Sequence, residues 1–95
     1  MAAYFLVDIE ITDDDRMREY REGVPRTVQK YGGRYLVRGS QGEIMEGNWK
    51  PRRIVVLEFP SVEQAKRWYD SEDYRQLKAL RQKASNSNII LVEGV

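Results

Sequence analysis

Four segments of the chain carry apolar residues either in alternation with polar ones or in short continuous runs, and both patterns are typical of strands. Residues 4–11 and 34–38 are the first two predicted strands, and residues 43–46 extend the second as a short continuation. Residues 53–59 form the third, and their nearly unbroken apolar run predicts a central strand that is buried on both faces. Residues 89–93 are the last predicted strand.

Two other stretches repeat apolar residues every three or four positions, as amphipathic helices do. The first follows Thr12, a predicted N-cap, and ends at Gly32-Gly33, a strong C-terminal stop. Gly23 and Pro25 interrupt this helix. Because proline lacks a backbone N–H, we expect a kink near residues 21–24.

The second helical stretch begins at Ser61, which forms a predicted capping box with Gln64. Ser71 is predicted to cap a further helical segment. The polar residues 85–88 then predict a turn before the last strand.

The order strand, helix, strand, strand, helix, strand predicts an α+β fold. Residues 1–95 form one ferredoxin-like βαββαβ domain, an antiparallel four-stranded sheet with its helices on one face. The other face carries Tyr4, Leu6, Asp8 and Glu10 from the first strand and is only half apolar. We expect a second copy of the chain to cover this face, which gives a symmetric homodimer.

Several blocks of the sequence resemble the bacterial family labelled domain of unknown function 1330, and the resemblance extends over nearly the whole chain. It implies a ferredoxin-like fold of the dimeric α/β-barrel type and no established activity. The blocks are residues 31–39 (YGGRYLVRG), 46–49 (EGNW), 58–61 (EFPS), 65–69 (AKRWY) and 71–81 (SEDYRQLKALR).

Composition excludes several kinds of chemistry. The 95 residues include no cysteine and no histidine, so thiolate sites and Ser-His or Cys-His nucleophile pairs are excluded. Residues 13–15 are three aspartates without calcium-loop spacing, and helix capping explains them better than a metal. We therefore predict neither a metal nor a cofactor.

The partners expected from charge and hydropathy are equally restricted. The net charge of +1 and the absence of RNA-recognition signatures on the central strands argue against nucleic acid. No apolar stretch is long enough to span a membrane, and the start of the chain shows no signal peptide. We expect a cytoplasmic protein.

Arg81 is the first candidate ligand-binding residue, because it shares a helix face with Tyr74 and Leu77 that should point inward. An inward arginine needs a carboxylate or a bound anion. A structural ion pair with Glu58 or Asp8 is the favoured interpretation, and an anion-binding arginine is the alternative.

Arg38 precedes Gly39, where a ligand or a second chain can approach closely. Anion binding and an ion pair between subunits are equally compatible with this position. Trp68 and Tyr74 flank the break between the helical segments and are the aromatic candidates for lining a ligand pocket, although a core role is favoured for Trp68.

Glu58 and Asp8 are weak catalytic candidates, because each interrupts a strand rich in apolar residues. If the first and third strands are adjacent, the two carboxyl groups can converge as an acid–base pair. Cross-strand salt bridges explain both residues more simply.

Two functions follow from these residues. The first is a small-molecule-binding module, for an organic acid, or a cofactor-independent enzyme, with a pocket lined by Arg38, Glu58, Trp68, Tyr74 and Arg81. The second is a non-catalytic dimer that serves in interaction or sensing. The sequence does not decide whether the protein is an enzyme.

Overall fold

The predicted order of strands and helices is confirmed, with the second helical stretch divided in two. The computed structural model describes residues 1–95. The elements are β1 (Ala3–Ile11), α1 (Asp14–Lys30), β2 (Arg34–Ser40), β3 (Arg53–Phe59), α2 (Val62–Tyr69), α3 (Glu72–Ala84) and β4 (Ser85–Glu93). None of the three helices is both long and apolar enough to cross a bilayer.

The strands form one antiparallel sheet in the order β2-β3-β1-β4, the ferredoxin-like arrangement. β1 and β3 are central, as the apolar run of β3 predicts. Side chains alternate between the two faces of each strand. On β1, Phe5, Val7 and Ile9 are buried beneath the helices, whereas Leu6 is exposed on the opposite face. We call that opposite side of the sheet the open face.

Helix α1 begins one residue later than predicted. Asp13 is the N-cap and accepts a hydrogen bond from the Arg16 backbone N–H at 3.2 Å. The Thr12 backbone N–H instead donates to the Ala84 carbonyl oxygen at 2.8 Å, which ties the start of α1 to the end of α3. The helix is continuous through Pro25, and the kink remains a prediction.

Ser61 and Ser71 cap the other two helices as predicted, but the capping box at Ser61 lacks its reciprocal bond, and Gln64 Oε1 instead accepts from Arg67. Ser61 accepts a hydrogen bond from the backbone N–H of Gln64 at 3.1 Å, and Ser71 accepts one from Tyr74 at 3.2 Å. Each serine thereby satisfies a backbone donor that the helix itself leaves free.

Two local predictions are wrong for the same physical reason. Residues 43–46 are exposed loop, because the β2–β3 ladder ends at Ser40 and no neighbouring strand pairs with them. Residues 85–88 are strand and not turn, because β1 continues to Ile11 and pairs with them. A strand requires a hydrogen-bonding neighbour, and that neighbour lies far away in sequence.

The edge strand β2 contains two register shifts that change the face of the sheet on which its side chains lie. Tyr35 pairs with Leu57 and Arg38 pairs with Val55, and the register shifts on either side of Val37 and Arg38. Tyr35 and Arg38 therefore lie on the helix side of the sheet, where Leu57 and Val55 also lie. Strict alternation predicts that Tyr35 and Val37 share a face, and the bulge overturns this.

Gly33 offers a test of how tightly the core is packed. A Cβ atom here would lie 2.6 Å from Cε1 of Phe59 and 2.9 Å from Cγ1 of Val28, and both of those side chains are fully buried. We expect Gly33→Ala to lower the free energy of unfolding by about 1–3 kcal/mol through overpacking. Urea denaturation at fixed protein concentration measures the change.

Gly42→Ala is the matched control, because a Cβ at Gly42 meets nothing within 4 Å. We expect it to leave stability unchanged or to raise it by up to about 1 kcal/mol. Equal destabilisation by both substitutions would contradict the packing described here.

Candidate functional site

A cavity of about 280 Å³ lies between the helix side of the sheet and the helices. Fourteen of its twenty lining residues are hydrophobic. The volume is close to the lower end of the range of small-molecule pockets, about 300–1,000 Å³. The cavity therefore suits a compact ligand with an apolar body.

All four predicted ligand-binding residues line this cavity: Arg38, Trp68, Tyr74 and Arg81. These residues come from β2, α2 and α3, and they are up to 43 positions apart in the sequence. The βαββαβ topology brings them together because α2 and α3 both pack on the side of the sheet to which the bulge directs Arg38.

Glu58 does not line the cavity, contrary to the sequence hypothesis. It alternates with Leu57 and Phe59, which point towards the helices, so its side chain lies on the open face. There it forms an ion pair with Arg34. The hydrogen bond from the Arg34 guanidinium holds the pKa of the Glu58 carboxyl group below its ordinary value.

Asp8 also lies on the open face, and it does not converge with Glu58. The β1–β3 register pairs Asp8 with Ile54 and Glu58 with Tyr4. Four residues along a strand separate the two carboxylates by about 13 Å. The Asp8 carboxylate instead accepts hydrogen bonds from Trp49 Nε1 at 3.0 Å and from the Arg52 backbone N–H at 2.9 Å.

Arg81 is buried without a carboxylate. It lies in the last turn of α3 and only 5% of its surface is exposed. Its Nε donates to the Tyr74 hydroxyl at 3.3 Å, and none of the salt bridges in the protein includes it. The predicted ion pair with Glu58 or Asp8 is therefore wrong, because both carboxylates lie on the other face of the sheet.

The two terminal nitrogens of Arg81 have no hydrogen-bond partner in the protein. No fully buried side-chain polar atom lacks a partner, so these nitrogens retain accessible surface. Because Arg81 lines the cavity, a bound molecule can reach them. A buried guanidinium with free donors attracts an anion strongly.

Two tyrosine hydroxyl groups beside Arg81 add to the hydrogen-bond donors of the cavity. The hydroxyl groups of Tyr20 and Tyr74 are 2.7 Å apart, and Tyr74 also accepts from Arg81. Two hydroxyl groups carry two protons, and their mutual hydrogen bond uses one of them. The second proton has no acceptor in the protein and is available to a ligand oxygen.

Tyr20 does not neutralise the charge of Arg81. Burial raises the pKa of Tyr20 well above its ordinary value, and the neighbouring Tyr74 raises it further. Burial also raises the pKa of Tyr35, another cavity residue, to about 12. The hydroxyl groups of Tyr20 and Tyr35 therefore remain protonated at neutral pH, and neither supplies a negative charge for Arg81.

Trp68 serves both the core and the cavity wall. Its ring stacks on Tyr74 with centroids 4.1 Å apart, and its Nε1 donates to Thr27 Oγ1 at 2.9 Å. Thr27 in turn donates to the Val24 carbonyl oxygen at 2.8 Å. These hydrogen bonds hold the indole in one orientation, so the wall beside Arg81 is rigid.

Arg38 is exposed at the cavity and also lacks a carboxylate partner. Its guanidinium lies over the Tyr35 ring, 4.4 Å from the centroid. Gly39, the next residue, has φ +87°, a conformation that other residues rarely adopt. This glycine accommodates the second register shift of the bulge, and the bulge keeps Arg38 on the cavity side.

The cavity residues that sequence reasoning missed include Tyr20, Arg21, Tyr35 and Arg53. Tyr20 was indicated only as part of a buried helical stripe. Arg53 shares a face of β3 with Val55 and Leu57, so its position on the helix side of the sheet was predictable. The side of the sheet on which Tyr35 lies was predictable as well, but its proximity to Arg38 depends on the bulge.

The cavity is lined by arginines and by no acidic residue. Arg21, Arg38, Arg53 and Arg81 contribute four positive charges, and none of them is in a salt bridge. The chain as a whole carries a net charge of only +1. The positive potential is therefore local to this cavity, which favours anions.

The sequence comparison decides the family. The model of the family described as domain of unknown function 1330 matches residues 2–95. The chain belongs to this family. No curated protein matches it in sequence.

Solved structures share the fold of this member of the family. A protein of unknown function from Rhodopseudomonas palustris superposes with a TM-score of 0.80 at 16% identity, over 99% of this chain and 82% of that one. A dimeric ferredoxin-like protein of unknown function from Jannaschia sp. CCS1 gives 0.73 at 11%, over 99% and 100%. A cofactor-independent oxygenase from Streptomyces nogalater gives 0.68 at 10%, over 99% and 93%.

The absence of an ion-pair partner for Arg81 leads to a prediction about the stability of the protein. We expect Arg81→Met, which removes a buried charge and keeps most of the side-chain volume, to leave the free energy of unfolding within about 1 kcal/mol of wild type or to raise it. Removing one member of a buried ion pair instead costs about 3–5 kcal/mol. Urea denaturation without added ligand distinguishes the two cases.

Arg67→Met is the control for this measurement, because Arg67 is exposed on α2 and does not line the cavity. A loss of about 3 kcal/mol or more for Arg81→Met alone would contradict the assignment of Arg81 as an unpaired charge.

Proposed function

We propose that this protein binds a small organic anion with an apolar or aromatic body in the cavity between sheet and helices. The observation that carries the proposal is the burial of Arg81 in that cavity without a carboxylate. A structural arginine of this kind would be expected to have an ion-pair partner in the protein. A ligand anion supplies the missing charge.

The donors suit a carboxylate. The terminal nitrogens of Arg81 present parallel N–H groups, which bind the two oxygens of a carboxylate in bidentate fashion. The free hydroxyl proton of the Tyr20–Tyr74 pair adds a further donor. The apolar walls, including Trp68, then receive the body of the ligand.

We assign binding and not a reaction. The fold is shared with a cofactor-independent oxygenase, which is compatible with an enzyme, but fold similarity at 10% identity does not carry an activity. No carboxylate lines the cavity, and the chain has no histidine, so no conventional general base faces a bound ligand. Asp8 and Glu58 are outside the cavity.

The alternative of a non-catalytic interaction module has weaker support. It requires a filled core in which Arg81 is bonded to Glu58. The cavity beside Arg81 and the pairing of Glu58 with Arg34 both favour ligand binding instead.

We also propose that the protein is a homodimer through the open face of the sheet. An apolar row crosses the middle of that face, because Leu6 pairs with Val56 and Ile90, and Val56 pairs with Val37. Leu6 and Ile90 are 37% and 57% exposed in the single chain. A second copy would bury this row, and the Jannaschia protein of the same fold is dimeric.

Ligand binding is tested with acids and their uncharged counterparts, beginning with benzoate and benzamide. We expect the acid, and not the amide, to raise the melting temperature of the wild-type protein. A ligand at 100 times its Kd adds about 2.7 kcal/mol to the free energy of unfolding. Arg81→Met should abolish the shift, whereas Arg67→Met should retain it.

Acids that stabilise wild type and Arg81→Met equally would overturn the ligand assignment. The assignment would also be overturned if no member of a broad panel of aromatic and aliphatic carboxylates stabilised the wild type. All samples must have the same protein concentration, because the melting temperature of a dimer depends on it.

The dimer is tested by Leu6→Lys, which places a charge at the centre of the apolar row. We expect sedimentation to give a dimer for the wild type and a folded monomer for the variant, because an unpaired buried charge opposes association. Ala79→Lys is the control, since Ala79 is exposed on α3, on the opposite side of the sheet from the open face. A wild type that sediments as a monomer at high concentration would contradict the proposal.

A further inference from the structure

We infer that the ligand carries two anionic groups joined by an apolar spacer. Arg81 holds one group in the interior, and Arg38 and Arg53 hold the other at the mouth of the cavity. This inference rests on the proposed function and specifies its ligand class as compact dianions, such as dicarboxylates.

Burial separates the cavity arginines into two groups. Arg81 is 5% exposed, whereas Arg21, Arg38 and Arg53 are exposed although they line the same cavity. Residues that both line a cavity and contact solvent mark its mouth. A ligand anchored on Arg81 therefore extends towards a second positive region.

Sheet register places two of the mouth arginines side by side. Arg38 is paired with Val55, and Arg53 lies two residues from Val55 on the same face of β3. Diagonal neighbours of this kind are about 7–8 Å apart, within the joint reach of two arginine side chains. Both guanidinium groups can therefore contact one carboxylate.

The protein leaves these two arginines without acidic partners. Five arginines elsewhere do form salt bridges: Arg16, Arg18, Arg34, Arg52 and Arg75. Arg52, the immediate neighbour of Arg53, pairs with Glu10 on the open face. Asp8 and Glu10, the two acidic residues of β1, therefore make their contacts on the open face, and Arg53 and Arg38, which form no salt bridge, remain available to a ligand.

Arg38 is also held in position before any ligand arrives. Its guanidinium lies 4.4 Å from the centroid of the Tyr35 ring, and Tyr35 itself lines the cavity. Stacking on an aromatic ring restricts an arginine that would otherwise sample many rotamers. A preorganised donor loses less entropy when it binds an anion. This favours a direct contact between Arg38 and the ligand over a nonspecific electrostatic attraction.

Matched acids test the inference by isothermal titration calorimetry at low salt. We compare terephthalate with benzoate and adipate with hexanoate. We expect at least one diacid to bind the wild type ten-fold or more tightly than its monoacid partner. Arg38→Gln/Arg53→Gln should remove the preference for the diacid, so that the diacid loses at least ten-fold more affinity than its monoacid partner.

A double variant of exposed arginines outside the cavity, Arg26→Gln/Arg67→Gln, is the control for the loss of two charges. It should retain the preference for the diacid. The single variant Arg53→Gln, at the exposed end of β3, gives a second measurement if the cavity double variant does not fold.

The outcomes separate this inference from the proposed function. Equal affinity of wild type for each diacid and its monoacid overturns the two-anion inference alone. So does a preference for diacids that survives in Arg38→Gln/Arg53→Gln and in Arg53→Gln. Absence of binding by every acid, or binding that Arg81→Met does not weaken, overturns the proposed function itself.

Discussion

A buried guanidinium without a carboxylate is the constraint on which the proposed function of this protein depends. Arg81 enters the layer between helices and sheet, and the protein supplies only the Tyr74 hydroxyl as a partner. Burial keeps the adjacent Tyr20 protonated, so the Tyr20 hydroxyl does not compensate the charge. Trp68, whose indole is bonded to Thr27, forms part of the wall of the cavity next to this charge. This arrangement supports the proposal that an anion from outside the chain binds there.

The two faces of the sheet divide the charges of a nearly neutral chain. Asp8 and Glu58 lie on the open face, where an indole, a backbone N–H and Arg34 satisfy them. Arg38 and Arg53 lie on the helix side and form no salt bridge. Alternation along the strands therefore produces a local positive potential that net charge does not reveal.

Much of the fold was predictable from local patterns, because strand and helix periodicities and serine caps act over a few residues. β3 has the predicted bounds, and Ser61 and Ser71 cap their helices as expected. The errors occur at residues 43–46 and 85–88, where pairing with a distant strand decides the structure. Periodicity within a segment carries no information on whether another strand lies beside it.

The sequence by itself determined which residues share a face within one element: Arg81 with Tyr74 on α3, and Glu58 with Ile54 and Val56 on β3. Only the tertiary structure decided that these two faces lie on opposite sides of the sheet, so that Arg81 and Glu58 cannot form an ion pair. It also decided, through a bulge, that Arg38 points into the cavity. The physical reason is that periodicity is a local property, whereas register and layer assignment arise from contacts between residues far apart in the chain.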